Sequence, residues 1–270
     1  ERDFGRKDLL IAVGGGAITD LTGFVAATWM RGIDWLAIPT TVAGMVDAAI
    51  GGKTGINSDA GKNLIGSFHS PISVLIDLSF TDTLSERDFA AGLAEVVKCG
   101  FISDSEILNL LNGKSLKDVI NNKQMLSELV HRSLSVKASV VSQDFKESSL
   151  REILNYGHTL GHAVEAHSNY SLRHGEAVSI GMCFAAELAK EKLGLDHEFV
   201  DLHYKLLNEL KLPTSYQRGL WSDLEKIMRR DKKSKDGRHH FVGISEIASC
   251  KRIEGVSSSE LQSIYERITK

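Results

Sequence analysis

DLLIAVGGGAITDLTG, residues 8–23, decides the fold class. The apolar run 8–13 has the length of a buried strand, ends in Gly14-Gly15-Gly16, and gives way to a helical pattern over 17–29. Strand, glycine turn and helix together place backbone N–H groups at a helix N-terminus, where they can hold a phosphate. A glycine after a strand is by itself often only a turn. Here a second strand-like run, WLAIP at 35–39, is followed by Thr40-Thr41, and hydroxyls at strand C-terminal ends commonly line a nucleotide crevice. A third run, SVLI, occupies 73–76. The alternation predicts a parallel α/β sheet.

Beyond residue 82 the pattern turns helical, over 86–99, 125–141, 151–166, 176–192, 198–210 and 221–229. Pro213 and the stretch 232–237 interrupt it, and a strand at 239–243 precedes a last helix at 259–268. The expected organisation is a partial dinucleotide-binding α/β domain, residues 1–82, followed by a mainly helical metal- and substrate-binding domain, residues 83–270. The chain opens without Met and enters a strand almost at once, so it reads as a fragment of a longer protein. Hydrophobic content of 42% and charged content of 25% are those of an ordinary globular protein. A net charge of −3 gives no reason to expect nucleic acid or an anionic membrane as partner, so any basic site must be a local cluster. No apolar run reaches the roughly 18 residues of a membrane span. Cys99, Cys183 and Cys250 lack CxxC spacing and predict a reduced, cytoplasmic setting.

The chemistry concentrates in Arg151-Glu152-Ile153-Leu154-Asn155-Tyr156-Gly157-His158-Thr159-Leu160-Gly161-His162. Its Arg, Asn, His and His follow one another at spacings of 4, 3 and 4, which on a helix is one stripe. A cation, an amide and two imidazoles on one face suit a metal and an anionic substrate. His174 follows in His174-Gly175-Glu176. The apolar stretch 90–98 carries Glu95 and Lys98; alone these read as a surface i,i+3 ion pair. Two imidazoles and one carboxylate, however, are a common zinc set with an open position. Spacing leaves His162 and His174 as alternatives for the second imidazole. Asp47, Gly51-Gly52-Lys53-Thr54-Gly55 and Gly61-Lys62-Asn63 form a second cluster, either a solvated loop or a ligand site in which open backbone approaches an anion beside mobile lysines. Lys137 lies in an apolar helical turn, where a lysine usually snorkels. Asp231-Lys232-Lys233 reads as an exposed loop on composition. His69, His131, His167, His197, His203, His239 and His240 show no partner pattern.

Taken in order, GGGxxxD, PTT, DxxxGGKTGxN, GKN, AGLAEVVK, KAxVV, LRxxLNxGHTxGHAxE, HGEAV and DKK resemble the 3-dehydroquinate synthase family of the sugar-phosphate cyclase group, from Gly14 to about Val242. The resemblance implies zinc, with cobalt as a substitute, on Glu95, His158 and His174, and so favours His174 over His162. It implies NAD contacts at Gly16, Ala17, Ile18, Thr19, Asp20, Thr40, Thr41, Phe80, Thr81, Asp82 and Thr83, with Asp47 near the nicotinamide and Lys53 and Lys62 close by. Substrate contacts would fall on Lys53, Asn63, Lys98, Lys137, Arg151, Asn155 and His162, with Lys233 (or Lys232) of the DKK motif. Arg31 would reach the substrate phosphate across a homodimer interface. The implied reaction converts 3-deoxy-D-arabino-heptulosonate 7-phosphate to 3-dehydroquinate and phosphate. Its steps are transient oxidation by NAD, β-elimination, re-reduction and intramolecular aldol closure.

The family also has a segment ahead of the first strand, with an acidic motif for the cofactor's adenosine end, that this sequence lacks. Without it, NAD binding and full activity would be in doubt. Thr19 and Ser149 stand where the family often has Gly. Three rivals stand beside this reading. One is another sugar-phosphate cyclase, such as a 2-deoxy-scyllo-inosose or valiolone-forming enzyme. The second is a metal-dependent alcohol dehydrogenase of similar architecture, and the third a truncated non-catalytic fragment. Arg151 and Asn155 favour the carboxylate-bearing substrate.

Overall fold

A computed structural model describes residues 4–58, 61–146, 149–231 and 240–270, with backbone alone at 61–63, 230 and 231. Strand β1 (Leu10–Gly14), helix α1 (Gly16–Thr28) and strand β2 (Trp35–Pro39) form the first unit. After a short π-helical turn, Gly44–Ala48, come β3 (Lys53–Ser58), β4 (Gly61–Phe68) and β5 (Ser73–Val74). The sheet order is β1-β2-β5 and its pairings are parallel, as the strand and helix alternation predicts. β3 and β4 form a separate antiparallel hairpin that the sequence reading missed. Ala12, Trp35 and Ala37 pack with Ala26 of α1 in a small core on one face of the sheet. The opposite face presents Ile11 and Val13, each more than half exposed.

The remainder is helical: α2 (Glu86–Ile102), α3 (Ser105–Leu111), α4 (Leu116–Asn121), α5 (Lys123–Gln143), α6 (His158–His167), α7 (His174–Leu193), α8 (His197–Glu209), α9 (Trp221–Asp231) and α10 (Ser258–Arg267). A two-stranded ribbon, β6 (Phe241–Glu246) with β7 (Ser249–Ile253), precedes α10. α2 is the axis of this part, since every residue from Phe89 to Ile102 is buried. Its start is set locally: Ser85 is the N-cap and accepts from the Asp88 N–H, which satisfies one of the helix's orphan donors. The large core joins α2 to α5, α6, α7 and α8.

One expectation fails. The helix expected over 151–166 is two pieces, a 3₁₀ turn at Leu150–Asn155 and α6, separated by Gly157. Gly157 has φ 77°, the left-handed region that favours glycine, so the chain turns there. Arg151 and Asn155 therefore do not share a helical stripe with His158 and His162. No described helix is long and apolar enough to cross a membrane.

Candidate active site

Three helices meet at one cluster. α2 supplies Glu95 and Lys98 from its buried middle, α6 supplies His158 in its first turn, and α7 supplies His174 as its first residue. Two backbone contacts set the spacing. A Cβ on Gly175 would lie 1.7 Å from the Ala91 carbonyl oxygen of α2, and one on Gly181 would lie 1.9 Å from the Gly157 carbonyl oxygen ahead of α6. α7 thus touches both neighbours backbone to backbone, and His174 arrives beside Glu95 and His158.

Glu95 Oε1 stands 3.5 Å from His158 Nε2 and 3.4 Å from His174 Nε2. One donor atom from each of the three residues lies within 4.8 Å of the other two. Both Glu95 oxygens are buried and neither accepts a hydrogen bond of sound geometry, although the Lys98 ammonium pairs with Oε2. A buried carboxylate with open lone pairs, facing two imidazole nitrogens, fits a divalent cation of the zinc class. The far side of each ring is tied down. His158 Nδ1 is 3.0 Å from the Tyr156 carbonyl oxygen, and His174 Nδ1 is 3.1 Å from Glu165 Oε2. The network assigns Nδ1–H as donor in each ring and leaves Nε2 to face Glu95.

The electrostatics agree with that assignment. Burial opposes the charge on Glu95, but Lys98 and then His158 hold its carboxyl well below the usual range. Burial and the charge of Lys98 push His158 down to about 4, so it is neutral near pH 7. At His174 burial is outweighed by Glu165 and Glu95, which raise it to about 9; a cation must displace a proton from its Nε2. Burial would lower Lys98 too, yet Glu95 and Asp47 hold it above the usual lysine range. Asp47 lies on the π-helical turn and pairs with buried Lys137. Burial would raise its carboxyl, but Lys137 leads the effects that bring it down to about 2.

His162 is exposed, its ring centroid 5.3 Å from His158 and 5.9 Å from His174, so it stands at the rim of the cluster. Arg151 is only 2% exposed, and its Nη1 donates to the Gly51 and Phe145 carbonyl oxygens at 3.1 and 2.6 Å. It is fixed against the turn that leads to Lys53, the exposed first residue of β3. Asn155 is half-buried at the end of the 3₁₀ turn.

Gly14, Gly15 and Gly16 lie where β1 hands over to α1, with Ala17 and Ile18 exposed in the first turn. Thr19 is buried and donates to the Gly16 carbonyl oxygen at 2.9 Å, and Asp20 is half-buried. Thr41 packs against Gly15, and Ala48 of the π-helical turn packs against Gly16. The glycine turn, Thr40-Thr41 and the segment bearing Asp47 thus lie side by side at the amide end of a 13-residue helix. Such a cradle suits a nucleotide phosphate. Phe80, Thr81, Asp82 and Thr83 lie on a 3₁₀ turn, Leu78–Thr83, where the Thr81 hydroxyl donates to the Leu78 carbonyl oxygen. Lys123, absent from the sequence reading, donates to Thr81 Oγ1 at 2.8 Å and pairs with Asp82. Arg31 is exposed in the 3₁₀ turn Trp29–Arg31 that follows α1. The side chains of Lys62 and Asn63, and all of Lys232 and Lys233, lie outside the described residues. Sequence reasoning quoted Glu165 within a motif but gave it no role, although it stands seven residues after His158 and so on the same helical face.

Comparison with known proteins gives this geometry a family. Residues 1–91 match the family described as 3-dehydroquinate synthase N-terminal, and residues 92–234 the one described as 3-dehydroquinate synthase C-terminal. The 3-dehydroquinate synthase of Corynebacterium diphtheriae is 50% identical over 268 residues, covering 99% of this chain and 74% of the relative. Among solved structures, a 2-epi-5-epi-valiolone synthase from Streptomyces hygroscopicus subsp. jinggangensis, with NAD+ and Zn2+ bound, superposes with a TM-score of 0.88. It is 28% identical, and the match covers 96% of this chain and 72% of that one. A 2-deoxy-scyllo-inosose synthase complexed with carbaglucose-6-phosphate, NAD+ and Co2+ gives a TM-score of 0.88 at 26% identity, covering 98% and 74%. Matched in both halves of the family and half identical to one of its members, the chain belongs to the 3-dehydroquinate synthase family.

Proposed function

We propose that this chain converts 3-deoxy-D-arabino-heptulosonate 7-phosphate to 3-dehydroquinate and phosphate, with NAD and a divalent metal, zinc or its substitute cobalt, as cofactors. The observation that carries the reading is the buried Glu95 carboxylate, paired only with the Lys98 ammonium among close cations and facing two imidazole Nε2 atoms. When bound, the cation supplies a Lewis acid for substrate hydroxyls, and NAD supplies a reversible two-electron acceptor. Glu95, His158 and His174 would hold the metal. The turn at Gly16–Asp20, with Thr40, Thr41 and the 80–83 segment, would hold the nucleotide. Lys98 and Lys137 place two ammonium groups in a buried wall, where their charge is weakly screened and favours an anionic sugar acid. Arg151 adds a fixed, delocalised charge next to the turn bearing Lys53. Exposed at the rim, His162 can exchange protons with solvent and is the candidate for proton handling at the hydroxyl that is oxidised. Lys62 completes the cofactor side of the proposal, Asn63 and Lys233 (or Lys232) complete the substrate side, and Arg31 reaches the substrate phosphate from the second subunit of a homodimer.

The division at residue 82 belongs to the same proposal, with the nucleotide held mainly by residues 1–82 and metal and substrate by residues 83–270. A cytoplasmic setting is supported by three free cysteines, two of them buried. The rival cyclase reading draws on the two solved neighbours, but their identities of 26% and 28% stand below the 50% shared with a 3-dehydroquinate synthase.

The test is to incubate the protein with zinc, catalytic NAD and the heptulosonate phosphate. Phosphate and 3-dehydroquinate are expected in equal amounts, without free NADH. Turnover of a sugar phosphate lacking the carboxylate instead would favour the rival cyclase, and accumulating NADH would favour a dehydrogenase.

A further inference from the structure

We propose that Glu165 is a positioning residue that orients His174 for the metal and makes it the stronger donor of the two imidazoles. The inference rests on the metal-site reading and extends it outward by one residue. Glu165 lies on α6, about two turns beyond His158, so one helix presents both a ligand and the partner of a second ligand that arrives from α7. Its side chain is 7% exposed, and its Oε2 lies 3.1 Å from His174 Nδ1. Accepting Nδ1–H there turns Nε2 toward Glu95 Oε1, 3.4 Å away.

The contrast with His158 gives Glu165 its meaning. His158 Nδ1 is oriented by a neutral carbonyl oxygen, whereas His174 Nδ1 is oriented by a carboxylate. An imidazole hydrogen-bonded to a carboxylate is the more basic ligand, and losing such a partner commonly lowers metal affinity by about 10- to 100-fold. The helix termini also leave His174 in need of this partner. It is the first residue of α7 and about a third exposed, so its ring is held on fewer sides than that of His158. Gly175 fixes the backbone at this point against Ala91, but it does not fix the rotation of the His174 ring. Glu165 does.

The experiment titrates metal-stripped protein with Co2+ against a chromophoric chelator and records the visible spectrum of the Co2+ form. Glu165→Gln keeps the shape and an acceptor oxygen but removes the charge; Glu165→Ala removes both. Affinity is expected to fall by about 10-fold in the first and toward 100-fold in the second, with altered Co2+ absorption in both. The far-UV circular dichroism and cooperative urea unfolding of the metal-free Glu165→Gln protein are expected to remain those of a folded protein, which separates positioning from folding. Wild-type affinity and an unchanged spectrum in a folded Glu165→Gln and Glu165→Ala would overturn the role of Glu165 while leaving the metal site intact. Failure of the wild-type protein itself to take up Co2+ would instead remove the metal reading, and this inference with it.

Discussion

Glu95 occupies the middle of a helix whose neighbouring residues are buried, where a charge is costly unless partnered. Its partners are Lys98 on the same helix and the two imidazoles opposite. Glu95→Ala, His158→Ala and His174→Ala are each expected to lose bound zinc and at least about 100-fold in turnover. Metal analysis after dialysis checks this, and unchanged metal content in all three would remove the ligand set. Lys98→Ala leaves the Glu95 carboxylate buried without its ammonium; the metal-free protein should lose about 3–5 kcal/mol of stability in urea. Lys137→Ala should cut turnover at least about 10-fold while retaining zinc, because its ammonium pairs with Asp47 and not with the ligands. A wild-type rate would return Lys137 to an apolar-stem role. At this scale the residues alone offered Glu95, His158 and either His162 or His174, and the choice of His174 came from the family resemblance. Glu165 entered only as the last residue of the motif LRxxLNxGHTxGHAxE, because its partner His174 comes from another helix and pairing between helices is invisible to spacing.

At the scale of elements, strands and helices followed from apolar runs and their periods. β2 was expected at 35–39 and is found at Trp35–Pro39. The hairpin β3–β4 escaped because its first strand, KTGINS, has no alternation of apolar and polar residues, and propensity alone does not show what a ribbon packs against. β7 escaped for a related reason, being a polar ribbon, SCKRI, whose partner β6 alone carries the apolar signal. The false continuity of 151–166 arose because helical spacing ran across Gly157, whose cost as a helix breaker was outvoted by the polar stripe. Backbone contact between helices is likewise invisible to periodicity. Gly181→Ala and Gly175→Ala are therefore sharp tests, since each new methyl would meet a carbonyl oxygen. Each should destabilise the protein by about 3 kcal/mol and weaken Co2+ binding by parting His174 from its fellow ligands. Thermal midpoints and the Co2+ titration read both effects; retention of wild-type values would mean that α7 can shift without disturbing the cluster.

For the whole molecule, pH dependence is written into a histidine outside the ligand cluster. His203, wholly buried, stacks on Phe101 at a ring-centroid distance of 3.4 Å. Its Nδ1 donates to the Phe199 carbonyl oxygen at 2.7 Å, and its Nε2 accepts from the Tyr156 hydroxyl at 2.8 Å. Burial pushes it down from 6.5 to about 4. Between these values the unfolded chain binds a proton that the folded chain refuses, so stability rises with pH through this window and is lost as pH falls. The full loss attributable to His203 is about 3 kcal/mol. Urea midpoints of the metal-free protein at pH 7 and pH 4.5 measure it, and His203→Gln should narrow the gap between them. An equal gap in the variant would place the acid sensitivity elsewhere. The three ligands, by contrast, ride on α2, α6 and α7, and α7 touches the main chain of α2 at Gly175 and the main chain ahead of α6 at Gly181. A framework of that kind acts as a fixed gauge. On the proposed metal reading, ions would be sorted by whether they span the set distance among α2, α6 and α7, and altered selectivity would require shifting a helix rather than exchanging a donor.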